Sequence, residues 1–458
     1  MNRKKIAALI LSFAFVVLIG AYLINYTAAK ADEKIMVMEY TPPIITGENG
    51  YQIDKYENIE NNQWIDENNV LSLTKKGDFK NPDSTTSVRY CSVYNLNTND
   101  SKDFKNVDID EFLGVSPDNK YVLYSEPRAI PKLINENGTQ TEEAKKAYES
   151  GDLYHKAIKV LNLSTGEITD IKTEKVNSFA EFKWVGNNKI LENYCSGKWR
   201  IADISGKVYI EGNYNSDYSE LVRIAGVDDI KDLGDNVEGR FYYTQDVNGT
   251  NGGRAETKIC SIDIKTKVVK AIYTNKNSLG GSKKGKTIVI DNFNDNGKAV
   301  DGVFLNRTFG EIIMDESGKI IRNIDLPKGI QNSEFILSPD GTKAAYLEYP
   351  NEIKPIGDSS KSDNNGNTDI CLKVIDIKTG DIKEIVKSSS LKDENDEVEY
   401  RNIKRPSLDE SEKDGKIQVK KGIENICWSS KGKELSFTYG NSSKNNTKIN
   451  SFIVSFDK

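Results

Sequence analysis

One short pattern recurs along this chain and restricts its fold more than any bulk property does. An apolar stretch is followed by a turn rich in Ser, Pro, Asp, Asn and Gly, and then by a second apolar stretch. Ser116-Pro117-Asp118-Asn119-Lys120 precedes Tyr121-Val122-Leu123-Tyr124, and Ser338-Pro339-Asp340-Gly341-Thr342-Lys343 precedes Ala344-Ala345-Tyr346-Leu347. Ser429-Ser430-Lys431-Gly432-Lys433 and Trp184-Val185-Gly186-Asn187-Asn188-Lys189 repeat the arrangement, with a weaker copy at Trp64-Ile65-Asp66-Glu67-Asn68-Asn69. Each copy describes a tight β-hairpin.

A second motif follows each of these after a variable gap. Asn162-Leu163-Ser164-Thr165-Gly166-Glu167-Ile168 and Asp376-Ile377-Lys378-Thr379-Gly380-Asp381-Ile382 are the clearest, and variants begin at Asn95, Asp203, Asp263, Asp315 and Ser455. Seven units result, each holding two hairpins and hence four strands. Their shortest separation, from Asn162 to Asp203, matches the roughly 40 to 45 residues of one four-stranded propeller blade. A lone four-stranded sheet cannot bury both of its faces, so neighbouring units must stack, and radial closure is the usual solution. The expected fold is an all-β, seven-bladed propeller of antiparallel blades, with six or eight blades as neighbouring counts.

The residues apolar-Ser-Pro-Asp-Gly-x-Lys-apolar followed by Asp-x-x-Thr-Gly resemble the TolB-type, WD40-like β-propeller repeat, over roughly residues 55 to 458. The resemblance implies architecture and is nearly silent on function, because such blades occur in periplasmic proteins, in peptidase propellers and in many binding proteins. TolB itself has six blades, and the unit near residue 220 lacks the Ser-Pro-Asp turn. The last unit ends one strand short, and the apolar run 34–40 is expected to supply it, tying the chain ends together and covering an open edge.

Arg3, Lys4 and Lys5 precede an uncharged run from Ile6 to Ile24, long enough as a helix to cross the hydrocarbon core. Basic residues before it and none directly after it place the body outside the cytoplasm. Residues 1–31 thus read as a basic stub plus anchor or signal segment, and residues 32–458 as a single extracytoplasmic domain. The expected location is the cell membrane, single-pass. Ala29-Lys30-Ala31 has the small-x-small form a signal peptidase accepts, so secretion after cleavage following Ala31 is the alternative.

With 63 Lys and Arg against 69 Asp and Glu, the net charge is −6, and 37% of residues are hydrophobic. That balance supports a sizeable core and excludes a disordered polymer, a polytopic membrane protein and a dedicated nucleic-acid binder. Five cysteines form no Cys-x-x-Cys pair and read as small buried hydrophobes, with an inter-strand disulfide as the alternative. The single histidine, His155, excludes a His-based metal centre, and no Gly-x-Ser-x-Gly elbow accompanies it. Gly280 to Thr287 literally fits G-x4-G-K-[ST], but a strand rather than a helix follows, which reads as a hairpin turn and not a nucleotide site. No cofactor and no metal are expected. The oxygen-rich runs Asp363 to Asp369 and Asn292 to Gly297 lack an EF-hand glutamate, leaving calcium as a minor alternative to plain loops.

Trp64, Trp184 and Trp428 occupy one repeat position and are expected in the core. The connections between second and third strands are the long ones (75–87, 125–152, 245–257, 292–302, 350–368 and 440–447), and Thr141 to Gly151 reads as a short capped helix. These loops share a face with the inter-blade segment 388–421. Function sits on long loops held by a rigid scaffold, so Arg128, Tyr148, Asp246, Arg254, Asp363 and Asp369 are the candidate binding residues, with no catalytic residue among them. The chain is expected to be a non-enzymatic binding or scaffolding module for an envelope protein, wall component or small ligand, and not for a nucleotide or nucleic acid. The alternative is a carbohydrate-active propeller with acidic residues at the ring axis.

Overall fold

The computed structural model describes residues 40–46, 52–57 and 61–456. Excepted within that span are 83, 136–137, 154, 175–179, 195–196, 215–221, 228–229, 234–235, 248–255, 276–280, 292–293, 296–298, 301–302, 305–306, 309, 326–329, 333–334, 351–369, 392–399, 404–414, 419–421 and 441–449. Seven antiparallel sheets follow one another along the chain; four strands in sequence order build each of the first five, and in the sixth Ile330–Asn332 and Ile336–Leu337 both pair with Lys343–Pro350 as a divided first strand. The first blade comprises Asn61–Trp64, Asn69–Lys80, Thr85–Asn95 and Ser101–Ile109, and the second Glu111–Val115, Tyr121–Glu126, Ala157–Asn162 and Ile168–Asp170. The seventh begins with Gly422–Trp428, Glu434–Gly440 and Asn450–Ser455.

The turn motifs recur because the same hydrogen bonds build each turn. The buried Ser116 hydroxyl donates to Asp118 Oδ1 at 2.8 Å and accepts from the Tyr121 amide at 3.0 Å, and Ser338 does the same with Asp340 (2.7 Å) and Lys343 (3.0 Å). In the second motif the leading Asp or Asn caps its own turn: Asp376 Oδ1 accepts from the Thr379 amide at 2.8 Å, and Asp263 Oδ1 from Thr266 at 2.8 Å. Of the Gly280 to Thr287 motif, the described residues form a hairpin in which Gly281–Lys284 pairs with the strand Thr287–Asp291.

Packing follows from strand alternation. Successive side chains of a strand point to opposite sheet faces, and every second strand is apolar on both. Leu71, Leu123, Leu191, Tyr242, Val289 and Ala345 pack against the following blade, whereas Val122, Ile190, Phe241, Ile288, Ala344 and Leu435 pack against the preceding one. Seven buried apolar clusters result, one for each seam. The cluster of Tyr56, Trp64, Val70, Tyr94 and Ile453 joins the first blade to the seventh and closes the ring. Each fully buried Leu, Ile or Phe contributes about 1.5–3 kcal/mol relative to exposure, so no blade holds its core without its neighbours.

The three tryptophans are buried, as expected, and share one further role. Each donates its indole N–H to the preceding blade: Trp184 to Gly114 O at 3.1 Å, Trp428 to Ile336 O at 2.8 Å, and Trp64 to Cys427 O at 3.3 Å and Ser436 Oγ at 3.0 Å. Cys91, Cys260 and Cys371 are buried free thiols in these seams, and Cys195 lies outside the described residues. Burial pushes the Cys91 thiol up to about 12.

Two expectations need correction. The missing outer strand of the seventh blade is Gln52–Glu57, paired with Asn450–Ser455, rather than residues 34–40. Tyr40–Thr46 adds a fifth strand outside it, and residues 34–39 lie outside the described residues. The Ile53 side chain explains the choice, because it completes the core between the sixth and seventh blades with Phe437, Phe452 and Val454. The long segments are also less open than expected. Residues 75–87 continue the ladder of the first blade, Lys80 pairing with Thr85, and the inter-blade segment carries its own hairpin, Tyr400–Ile403 with Gly415–Gln418.

Residues 1–39 lie outside the described residues, and among the described residues no helix is long and apolar enough to cross a membrane.

Candidate functional site

Strand direction alternates within a blade, so the two kinds of connection emerge on opposite faces of the ring. The tight 1–2 and 3–4 turns form a turn face, and the 2–3 and inter-blade connections form a loop face. Tyr40 pairs with Tyr56 and Glu57 with Asn450, which brings the chain into the ring at the loop face.

On that face the second blade carries the insertion between Glu126 and Ala157. Its helix α1, Glu142–Glu149, is capped by Thr141, whose hydroxyl accepts from the Ala144 amide at 3.0 Å. The Thr141 amide donates to Leu133 O at 3.0 Å, its hydroxyl donates to Lys132 O, and Ile134 bridges to Gln140. Arg128 donates to the Asp152 and Leu153 carbonyls behind the helix, and Asn81 from the first blade's ribbon accepts from the Ile130 amide at 2.9 Å. The insertion is therefore braced at both ends and from the neighbouring blade. It still leaves Leu133, Ile134 (55% exposed) and Tyr148 (44%) facing solvent.

Beside it, the seam between the second and third blades holds a buried ionic cluster. Glu192 Oε2 is ion-paired with Arg200, 2.8 Å from its Nε, and accepts from the Tyr194 hydroxyl at 2.6 Å, while Glu192 Oε1 has no hydrogen-bond partner among the described residues. Arg200 also donates to Lys172 O at 2.7 Å, and Lys198 reaches Glu174 at 2.7 Å. Burial and then the Glu192 carboxylate raise the Tyr194 phenol well above its ordinary value, so it stays a hydrogen-bond donor. His155 lies just outside, its Nδ1 3.4 Å from Thr173 Oγ1.

Among the described residues the turn face has one elaboration. The fourth blade, which lacks the Ser-Pro-Asp turn, replaces it with an extra hairpin, Lys231–Leu233 with Asn236–Glu238, whose Val237 is buried in the core between the third and fourth blades. Gly239, at φ +145°, turns the chain back into the second strand, a backbone state that favours glycine. Hairpin and 3–4 turn enclose a cleft of about 440 Å³ lined by Lys231, Glu238, Gly239, Arg240, Asp263, Lys265 and Thr266. Lys265 pairs with Glu238, and Arg240 lies 3.8 Å from Asp263. The Thr266 amide holds the Asp263 carboxyl below its ordinary value.

Of the residues singled out by sequence, Arg128 and Tyr148 meet on the loop-face insertion, where Arg128 braces the backbone and Tyr148 is exposed. Asp246 stands in the second strand of the fourth blade opposite Thr257. Arg254, Asp363, Asp369 and residues 296–297 lie outside the described residues. Sequence reasoning missed the turn-face cleft. The available signal was the one unit that breaks the turn motif.

No protein-family model and no curated protein matches this chain. Solved structures of similar architecture include the β-propeller domain of the Trilobed protease from Pyrococcus furiosus, at 9% identity and TM-score 0.45 over 91% of this chain and 94% of that one. A protein provisionally named TolB from Agrobacterium tumefaciens aligns at 12% identity and TM-score 0.37 over 66% and 90%. An oligogalacturonate lyase from Vibrio parahaemolyticus aligns at 10% identity and TM-score 0.33 over 92% and 98%. The ring itself rests on its sheet order and its seven seams. One expectation is corrected here. The chain was read as non-enzymatic, yet propellers similar to it belong to a protease and a lyase, so the architecture gives no ground for excluding catalysis.

Proposed function

We propose that this protein is a membrane-tethered, extracytoplasmic propeller whose loop face binds an envelope protein or wall component. The observation that carries the reading is the second blade's insertion: Arg128, Thr141 and Asn81 hold its backbone, yet Leu133, Ile134 and Tyr148 remain exposed. Apolar and aromatic side chains on a braced surface lose little entropy when a partner covers them, which is what an interface anchor requires. The uncharged run from Ile6 to Ile24 behind three basic residues supports the tether. Residues 25–39 reach at most about 50 Å, and they join the ring at the same face, so the partner is one found near the membrane.

The test is proximity cross-linking in the native host with the full chain, comparing wild type with Ile134→Ser/Tyr148→Ala. A cross-linked envelope protein or wall fragment that is lost in the double variant supports the proposal. An identical cross-linking pattern in both proteins overturns the assignment of the insertion, and fractionation of the chain away from membranes overturns the tether.

A further inference from the structure

The fourth blade's cleft lies on the turn face, opposite the surface just discussed, and its charges are unequally committed. Both of its carboxylates are engaged. Asp263 Oδ1 accepts from the Thr266 amide and hydroxyl at 2.8 Å each, which ties it to its own turn, and Glu238 is paired with Lys265. Two of its three cations are not engaged in this way. Arg240 is 3.8 Å from Asp263, beyond hydrogen-bond distance, and its side chain is about half exposed, at 49%. Lys231, on the hairpin, is exposed and lines the same cleft.

We infer that the cleft between the extra hairpin and the 263–268 turn binds a small hydroxylated anion, a sugar phosphate or sugar acid, with Arg240 and Lys231 holding the charged group. Every side chain lining it is polar or charged, which suits a charged, hydroxylated ligand. Its volume of about 440 Å³ falls in the usual range for small-molecule sites. Arginine presents a fork of donors that matches carboxylate or phosphate oxygens, and lysine adds a second charge to the lining. Glu238 and Asp263 offer acceptors for ligand hydroxyls at their remaining oxygen lone pairs. The hairpin exists in one blade of the seven, so the cleft is not a by-product of the repeat.

The experiment is calorimetric titration of the full chain with glucose 6-phosphate and, separately, glucuronate, at low and at physiological salt. Saturable binding of either is expected, weaker at the higher salt. It should fall about tenfold in Arg240→Gln and in Lys231→Ala, the scale of one charge-assisted hydrogen bond. Lys319→Ala removes the same charge from the neighbouring blade's turn and is expected to bind as wild type. Absence of saturable binding of both probes overturns the inference, as does an equal loss in all three variants, which would indicate attraction to a generally basic face. Circular dichroism of each variant distinguishes a binding loss from unfolding.

Discussion

Gly318, in the 3–4 turn of the fifth blade, lies directly against the Ile272 carbonyl of the fourth blade, and a Cβ added there would sit 2.5 Å from that oxygen. Gly318 also has φ +88°, so two independent constraints act on one residue. Here the turn of one blade docks on the outer strand of the blade before it, and glycine allows the contact. At the next seam Gly380, at φ +82°, faces the Arg322 guanidinium at 2.3 Å for an added Cβ, and Arg322 donates across the seam to Ile377 O at 3.2 Å and Lys378 O at 3.0 Å.

Substitution at these glycines is expected to separate the two constraints. Both Gly318→Ala and Gly380→Ala incur the left-handed backbone cost of about 1 kcal/mol. Gly380→Ala adds only displacement of a flexible side-chain end, whereas Gly318→Ala must move backbone. Urea denaturation should therefore show the greater loss for Gly318→Ala. Equal losses would mean that φ alone matters at both turns.

Trp64→Phe keeps the ring in the core of the closing seam but removes the indole N–H that reaches Cys427 O and Ser436 Oγ. A loss of about 0.5–1.5 kcal/mol is expected, the scale of a lost hydrogen bond, because Cys427 O keeps the Ser436 hydroxyl as a donor at 3.1 Å. Hydrogen exchange should accelerate first in Gln52–Glu57 and Glu434–Gly440, beside the seam between first and last blades. Acceleration spread evenly over all seven blades would contradict this account.

Arg200→Met leaves the fully buried Glu192 carboxylate without its cation, at an expected cost of about 3–5 kcal/mol. Glu192→Leu combined with Arg200→Met removes both charges and should recover most of that loss. A double variant as unstable as the single one would show that packing, not the unpaired charge, sets the penalty.

Acid stability depends on the turn-capping aspartates. Turn amides and hydroxyls lower Asp263 and Asp376 below their ordinary value, because the Thr266 and Thr379 amides bond the charged form. A carboxyl depressed in the folded state stabilises the fold above its unfolded value of about 3.9, and that contribution is lost as pH falls through the lower folded value. Melting temperature is expected to decline below about pH 4, with a shallower decline in Asp376→Asn. An unchanged pH profile in that variant would exclude the turn as a source of acid sensitivity.

Burial raises the Cys91 and Cys371 thiols to about 12 each, which leaves almost no thiolate at neutral pH. Iodoacetamide at pH 8 should label neither in the folded protein and both in urea, as read by peptide mass spectrometry. Labelling of either without denaturant would require the seams to open.

The repeat and its blade count were legible in the sequence because local chemistry builds each turn: Ser116 with Asp118 and Asp376 with Thr379 are contacts between residues two or three apart. The core was legible for a related reason, since strand alternation assigns Leu123 and Val122 to opposite seams before any seam is seen. The helix after Thr141 was legible from its cap. Three features depended on residues far apart in the chain. The sequence pattern points to 34–40 as the closing strand, whereas 52–57 takes that place because Ile53 fits the core beside Phe437 and Val454. The pairing of Arg200 with Glu192 follows from ladder register between two strands. The cleft on the fourth blade needs Lys231 and Lys265 on one wall and floor, 34 positions apart in sequence, and no local rule brings them together. Sequence determines what neighbours in the chain do to one another, and the ring, once closed, determines which distant side chains share a surface.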